Sequence, residues 1–95
     1  MCGIAGVVYL EAGRAPAQPV LESMVQRLRH RGPDGTGFYY RDQIGLAHAR
    51  LSIIDLITGD QPIHNEQRSI WVVFNGEIFN YPELRTDLVA RGHRF

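Results

Sequence analysis

The stretch that most limits how this chain can fold is the apolar run Cys2-Gly3-Ile4-Ala5-Gly6-Val7-Val8-Tyr9-Leu10. Read as a strand over residues 2–10, it puts Cys2, Ile4, Gly6 and Val8 on one face and Gly3, Ala5, Val7 and Tyr9 on the other. Neither face carries a charge, so both are expected to be covered, as in a sheet held between other layers. Glycines weaken a strand and often mark a close approach by a ligand or another backbone. The same stretch opens on the single cysteine of the chain. One cysteine excludes an internal disulfide and fits a reducing cytoplasm.

Cys2 directly follows the initiator methionine, and trimming of Met1 would leave a thiol and a free α-amino group on one residue. An α-amino group titrates near ~7.7–8.0 and an ordinary thiol near ~8.5, so the two can exchange a proton at neutral pH. A nucleophile paired with the chain's own amine is an established arrangement. The alternative is a small apolar residue opening a buried strand.

Downstream, residues 11–17 read as a loop with Gly13 and Pro16. Pro19 can open a helix, and Val20, Leu21, Met24, Val25 and Leu28 lie at helical spacing, so a helix is expected to end near His30. His30-Arg31-Gly32-Pro33-Asp34-Gly35 combines turn formers with two cations and a carboxylate. Residues 37–40 and 43–51 then read as two strands joined by an Arg41-Asp42 turn. In the second, Ile44, Leu46, His48 and Arg50 alternate with Gly45, Ala47, Ala49 and Leu51. An arginine on such a face needs a carboxylate partner, either structural (Asp34, Asp55 or Asp60) or from a substrate.

Residues 51–56 continue extended, and residues 58–66 form a polar loop. Residues 69–75 read as a strongly apolar strand running into Gly76-Glu77. An Asn75-Gly76 pair there is either a hairpin turn or an amide plus a backbone N–H, the donors of an oxyanion hole. The last element is a helix over residues 81–91, with a capping box between Asn80 and Glu83, Pro82 in the first turn and Gly92 as its stop. Leu84, Leu88 and Val89 supply its apolar face, and residues 93–95 are expected to begin a further strand.

The bulk properties narrow the function classes. Ninety-five residues suit one small domain, and 44% hydrophobic with 21% charged residues fits a globular chain. Ten Lys and Arg balance ten Asp and Glu, which gives no basic field for nucleic acid or a membrane surface. No apolar run reaches membrane length, and the start lacks a signal-peptide pattern. The four histidines show no metal-ligand spacing, so no metal is expected in this segment. A cytoplasmic location follows from these features together.

Four motifs in order, Met1-Cys2-Gly3-Ile4, Arg31-Gly32-Pro33-Asp34, Arg50-Leu51-Ser52-Ile53 and Phe74-Asn75-Gly76-Glu77, resemble the glutaminase domain of class II glutamine amidotransferases, which are N-terminal-nucleophile hydrolases. Within that family, the runs over 30–35, 51–56 and 59–62 are most similar to the glutamine-hydrolysing asparagine synthetase branch. The resemblance implies an α+β fold, an αββα sandwich of two antiparallel sheets between helical layers, of which residues 1–95 would be the N-terminal part. It implies that Cys2 attacks the side-chain amide of glutamine and releases ammonia for ATP-dependent synthesis of asparagine from aspartate. Asn75 and Gly76 would form the oxyanion hole. Arg50 would hold the α-carboxylate and Glu77 the α-amino group, with Leu51 and Ile53 lining the pocket. Another acidic ligand, expected beyond Phe95, and a synthetase domain binding ATP and magnesium would lie outside this segment. The amide acceptor is left open, as is a homodimer. A sugar or secondary-metabolite carboxylate acceptor and a non-catalytic module of the same fold are the competing readings.

Overall fold

The computed structural model describes residues 2–51 and 61–95. Its first part is one antiparallel sheet with a helix on one side. β1 (Gly3–Val8), β2 (Gly35–Arg41) and β3 (Ile44–Arg50) pair in the order β1-β3-β2, with β3 central. The register sets Gly3 opposite Ala49, Ala5 opposite Ala47 and Gly37 opposite His48. The β2–β3 turn needs one residue in the left-handed region, and Asp42 takes it at φ 51°, a conformation that short polar side chains tolerate.

Alternation on β3 sorts residues by size. Gly45, Ala47 and Ala49 face the helix α1 (Gln18–Gln26), whose Leu21 and Val25 close the core with them. Small residues on the strand let the helix approach: a side chain at Gly45 would collide with Leu21. Leu21 is fully buried, with Ala5, Val7, Met24, Leu28 and Phe38 packed around the cluster. Pro19 lies in the first turn of α1, as its fixed φ favours. Regular helix ends earlier than the spacing predicts. Beyond Gln26 the chain runs through three-residue turns, with the Leu28 N–H on the Val25 carbonyl and the Arg31 N–H on the Leu28 carbonyl.

The second face of the sheet departs from expectation. Ile4 and Val8 are 49% and 61% exposed, so among the described residues β1 is covered mainly on the helix side. What does reach this face is a short hairpin, β4 (Ile63–His64) and β5 (Trp71–Val72). Asn65 ties its loop: the side-chain carbonyl accepts from the N–H groups of Ser69 (2.8 Å) and Ile70 (3.1 Å). Trp71 stacks on Tyr39 of β2, centroids 4.0 Å apart, and docks the hairpin against the sheet.

The long apolar strand expected over 69–75 is therefore only two residues, because its paired partner is equally short. No return strand follows Asn75-Gly76, and neither residue has the positive φ of the hairpin turn expected from that dipeptide. The final helix, α2 (Tyr81–Ala90), lacks the expected side-chain cap from Asn80. Its end is as read from sequence. Gly92 has φ 96°, the His93 N–H reaches the Leu88 carbonyl and the Gly92 N–H reaches the Val89 carbonyl, a Schellman motif. None of its residues is buried, so Leu84 and Val89 stay exposed. Residues 93–95 form no strand; the Glu66 carboxylate instead accepts from the Arg94 N–H and the His93 ring. No helix among the described residues is long and apolar enough to cross a membrane.

The resulting architecture is mixed, with two antiparallel sheets and two helices among the described residues.

Candidate active site

Antiparallel pairing of β1 with β3 brings the first described residue of the chain against the end of the central strand. Gly3 pairs with Ala49, so Cys2 falls beside residues 50–51. The Leu51 N–H points at Cys2 Sγ (3.3 Å), and the thiol faces the Leu51 carbonyl at 3.8 Å. The sulfur is a free thiol and half-buried. From the other side, Asn75 Nδ2 donates to the Cys2 carbonyl at 2.9 Å. Three segments, separated by 49 and 73 positions, thus meet at one cysteine. An amide nitrogen carries two hydrogens. With one on the Cys2 carbonyl, the second remains available to another acceptor.

Arg50 closes β3, half-buried, on the same strand face as Leu46 and His48. Its carbonyl accepts the Asp34 N–H (2.9 Å), which fixes the turn Gly32-Pro33-Asp34-Gly35 against the strand end. Arg50 also bears on His48. That imidazole is 2% exposed, and its protonation is pushed below the ordinary range, first by burial and further by the Arg50 charge, while the Phe74 backbone pulls the other way. His48 Nε2 is buried, and no hydrogen-bond partner reaches it among the described residues.

The remaining candidates are less gathered. Gly76 and Glu77 border a shallow apolar groove with Phe74, Phe79 and Tyr81, and its lining does not include Cys2 or Arg50. Glu77 is exposed. Ile53 lies outside the described residues, as do Asp55 and Asp60, two of the three structural partners considered for Arg50. No cluster of three or more His, Cys, Asp or Glu among the described residues is arranged to hold a metal.

One residue at the site was legible only as part of a motif. Gln61 accepts the Phe74 N–H at its Oε1 (2.6 Å) and donates to the Phe74 carbonyl from its Nε2 (2.8 Å), immediately before Asn75. The only sequence signal for it was a polar residue preceding Pro62 at the end of the 59–62 run.

The comparisons point in one direction. The glutamine amidotransferase domain family matches residues 1–95. The chain is 42% identical over 97 residues to asparagine synthetase [glutamine-hydrolyzing] 1 of Bacillus subtilis (strain 168), covering all of this chain and 15% of the relative. It is 44% identical to asparagine synthetase [glutamine-hydrolyzing] of Zea mays and 49% identical to that of Brassica oleracea, each over 96 residues, all of this chain and 16% of the relative. The chain thus spans only a small part of the length of these relatives. With the match running from its first residue to its last, the chain belongs to the glutamine amidotransferase domain family.

Proposed function

We propose that this chain is the glutamine-hydrolysing part of an asparagine synthetase, and that its chemistry runs through Cys2. The observation that carries the reading is the convergence of Leu51 and Asn75 on Cys2. Removal of Met1 frees the Cys2 α-amino group, which takes the thiol proton as Sγ attacks the side-chain amide carbon of glutamine. The C=O electrons move onto the oxygen, where the second Asn75 N–H and the Gly76 backbone N–H stabilise the negative charge. Collapse of that adduct breaks the C–N bond, and the proton held by the amine leaves with ammonia. A γ-glutamyl thioester is left on Cys2. Water, deprotonated by the same amine, hydrolyses it to glutamate and restores the thiol.

Arg50 holds the α-carboxylate of glutamine in the planar fork of its guanidinium. Glu77 holds the α-amino group, and Leu51 and Ile53 line the pocket. The chain supplies the N-terminal part of an αββα sandwich, whose further layers would cover the exposed face of β1. Aspartate, ATP and magnesium are assigned to the remainder of the protein, as the family resemblance implies. The ammonia is consumed there to make asparagine.

The test uses the full-length protein with either glutamine or ammonia as nitrogen donor. Cys2→Ala abolishes glutamine-dependent turnover and spares ammonia-dependent turnover, because free ammonia bypasses the thiol. Loss of both contradicts the role given to Cys2.

A further inference from the structure

An oxyanion donor works only when held to about 0.5 Å, yet the segment carrying Asn75 has little packing to hold it. β5 stops at Val72, Phe74 is 40% exposed and Asn75 is exposed. What fixes the backbone at this point is a side chain. The Gln61 amide bonds both polar groups of Phe74, Oε1 to its N–H and Nε2 to its carbonyl, as a neighbouring strand would. The two bonds restrain the orientation of the Phe74 peptide groups, and the second of these leads directly into Asn75.

Gln61 is itself anchored on the sheet. Its backbone carbonyl lies where a side chain at Gly37 would stand, so the absence of a Cβ at that position lets residue 61 sit against β2. Gly37 pairs with His48 on β3, two residues before Arg50, which ties the seat of the clamp to the strand that ends beside Cys2. A continuous path runs from the rigid sheet through Gly37 and Gln61 to Phe74, Asn75 and the Cys2 carbonyl.

We infer that Gln61 is a positioning residue for the oxyanion hole, acting through Phe74 to hold Asn75 against Cys2. The inference rests on the proposed glutaminase chemistry and adds a residue that the reading itself leaves unused. Gln61 touches neither Cys2 nor Asn75 by hydrogen bond, so its effect belongs in turnover rather than in glutamine binding.

The test is glutaminase kinetics of the full-length protein with Gln61→Ala, Asn75→Ala and the double variant. Removing an oxyanion donor outright lowers kcat by about 10²–10³-fold. Loosening one donor is expected to cost less, about tenfold for Gln61→Ala, with KM for glutamine within about twofold and ammonia-dependent turnover retained. In the Asn75→Ala background the Gln61 effect should vanish, since residues acting as a unit are non-additive. An equal additional loss in that background, a change confined to KM, or a parallel fall in ammonia-dependent turnover overturns the inference. If Gln61→Ala is too unstable to assay, Gln61→Glu keeps the size and the acceptor for the Phe74 N–H but removes the donor to its carbonyl. It should lose kcat similarly, and wild-type turnover would overturn the two-point clamp. Normal kcat in Asn75→Ala would overturn the oxyanion assignment and this inference with it. A crippled Asn75→Ala beside a fully active Gln61→Ala would overturn the inference alone.

Discussion

The helix-covered sheet and the segment after residue 60 are held by different physics. In the first, Leu21 and Val25 of α1 press onto Gly45, Ala47 and Ala49 of β3, and burial of apolar surface does the stabilising. In the second, no residue of α2 is buried and the hairpin is two residues deep. Order there comes from the Trp71–Tyr39 stack and from individual hydrogen bonds: Asn65 across its loop, Glu66 on Arg94, Gln61 on Phe74. The candidate site draws on both. Cys2, Arg50 and Leu51 sit at the edge of the packed sheet, and Asn75 arrives from the hydrogen-bonded part. On the proposed chemistry, the nucleophile is fixed by packing and its oxyanion donor by a polar clamp. Disturbing each region should therefore fail in a different observable.

The contrast is sharpest in stability. Leu21→Ala removes the fully buried centre of the core and should cost about 2–5 kcal/mol. Leu84→Ala, at a position 43% exposed, should cost under ~1 kcal/mol. Chemical denaturation of both variants checks this, and equal losses would show that α2 is packed as firmly as α1.

Next in size is the glutamine binding proposed for Arg50 in the packed region. Arg50→Ala should weaken apparent glutamine affinity about 10- to 100-fold, the scale of about 1.5–3 kcal/mol for hydrogen bonds to a charged group. Steady-state kinetics over a glutamine series reads it. Unchanged affinity would return Arg50 to a structural ion pair.

The smallest effect lies where the two regions touch. His48 is buried beside the Phe74 backbone and its folded pKa is lowered, mainly by desolvation. The folded state therefore favours the neutral ring. Its stabilising contribution is present above the unfolded value, near ~6.5. Below that, the unfolded chain binds a proton that the folded chain resists, and stability falls as pH drops toward the depressed folded value. One proton gives a slope of at most ~1.4 kcal/mol per pH unit. Replacing His48 with Gln should flatten this part of the stability–pH curve; an unchanged slope would show that another group titrates there.

The packed region was the more legible in sequence, for a physical reason. Period-2 alternation on β3 and helical spacing from Val20 to Leu28 are direct records of burial, and both elements form there, although regular helix stops at Gln26. The signals that misled were local ones that context overrode. Apolar content alone suggested a long strand over 69–75, yet a strand extends only as far as its partner, and β4 offers two residues. Asn75-Gly76 has hairpin chemistry, but Asn75 spends its amide on Cys2. Uncharged faces on residues 2–10 called for two covering layers, and the described residues supply one helix and a small hairpin. At the site, Cys2 was nameable from its own chemistry, and the family resemblance added Arg50 and Asn75, which the residues alone left open. Gln61 was not, because a glutamine's value here depends on a backbone 13 positions away.

The central claim is that Cys2 is a nucleophile served by its own amine beside a glutamine pocket. The most direct test is the intact mass of the full-length protein before and after a glutamine-mimicking diazo-ketone. The account predicts a chain lacking Met1 and one stoichiometric adduct, mapped to Cys2. Retained methionine, or a trimmed chain that Cys2 leaves unlabelled, would contradict it.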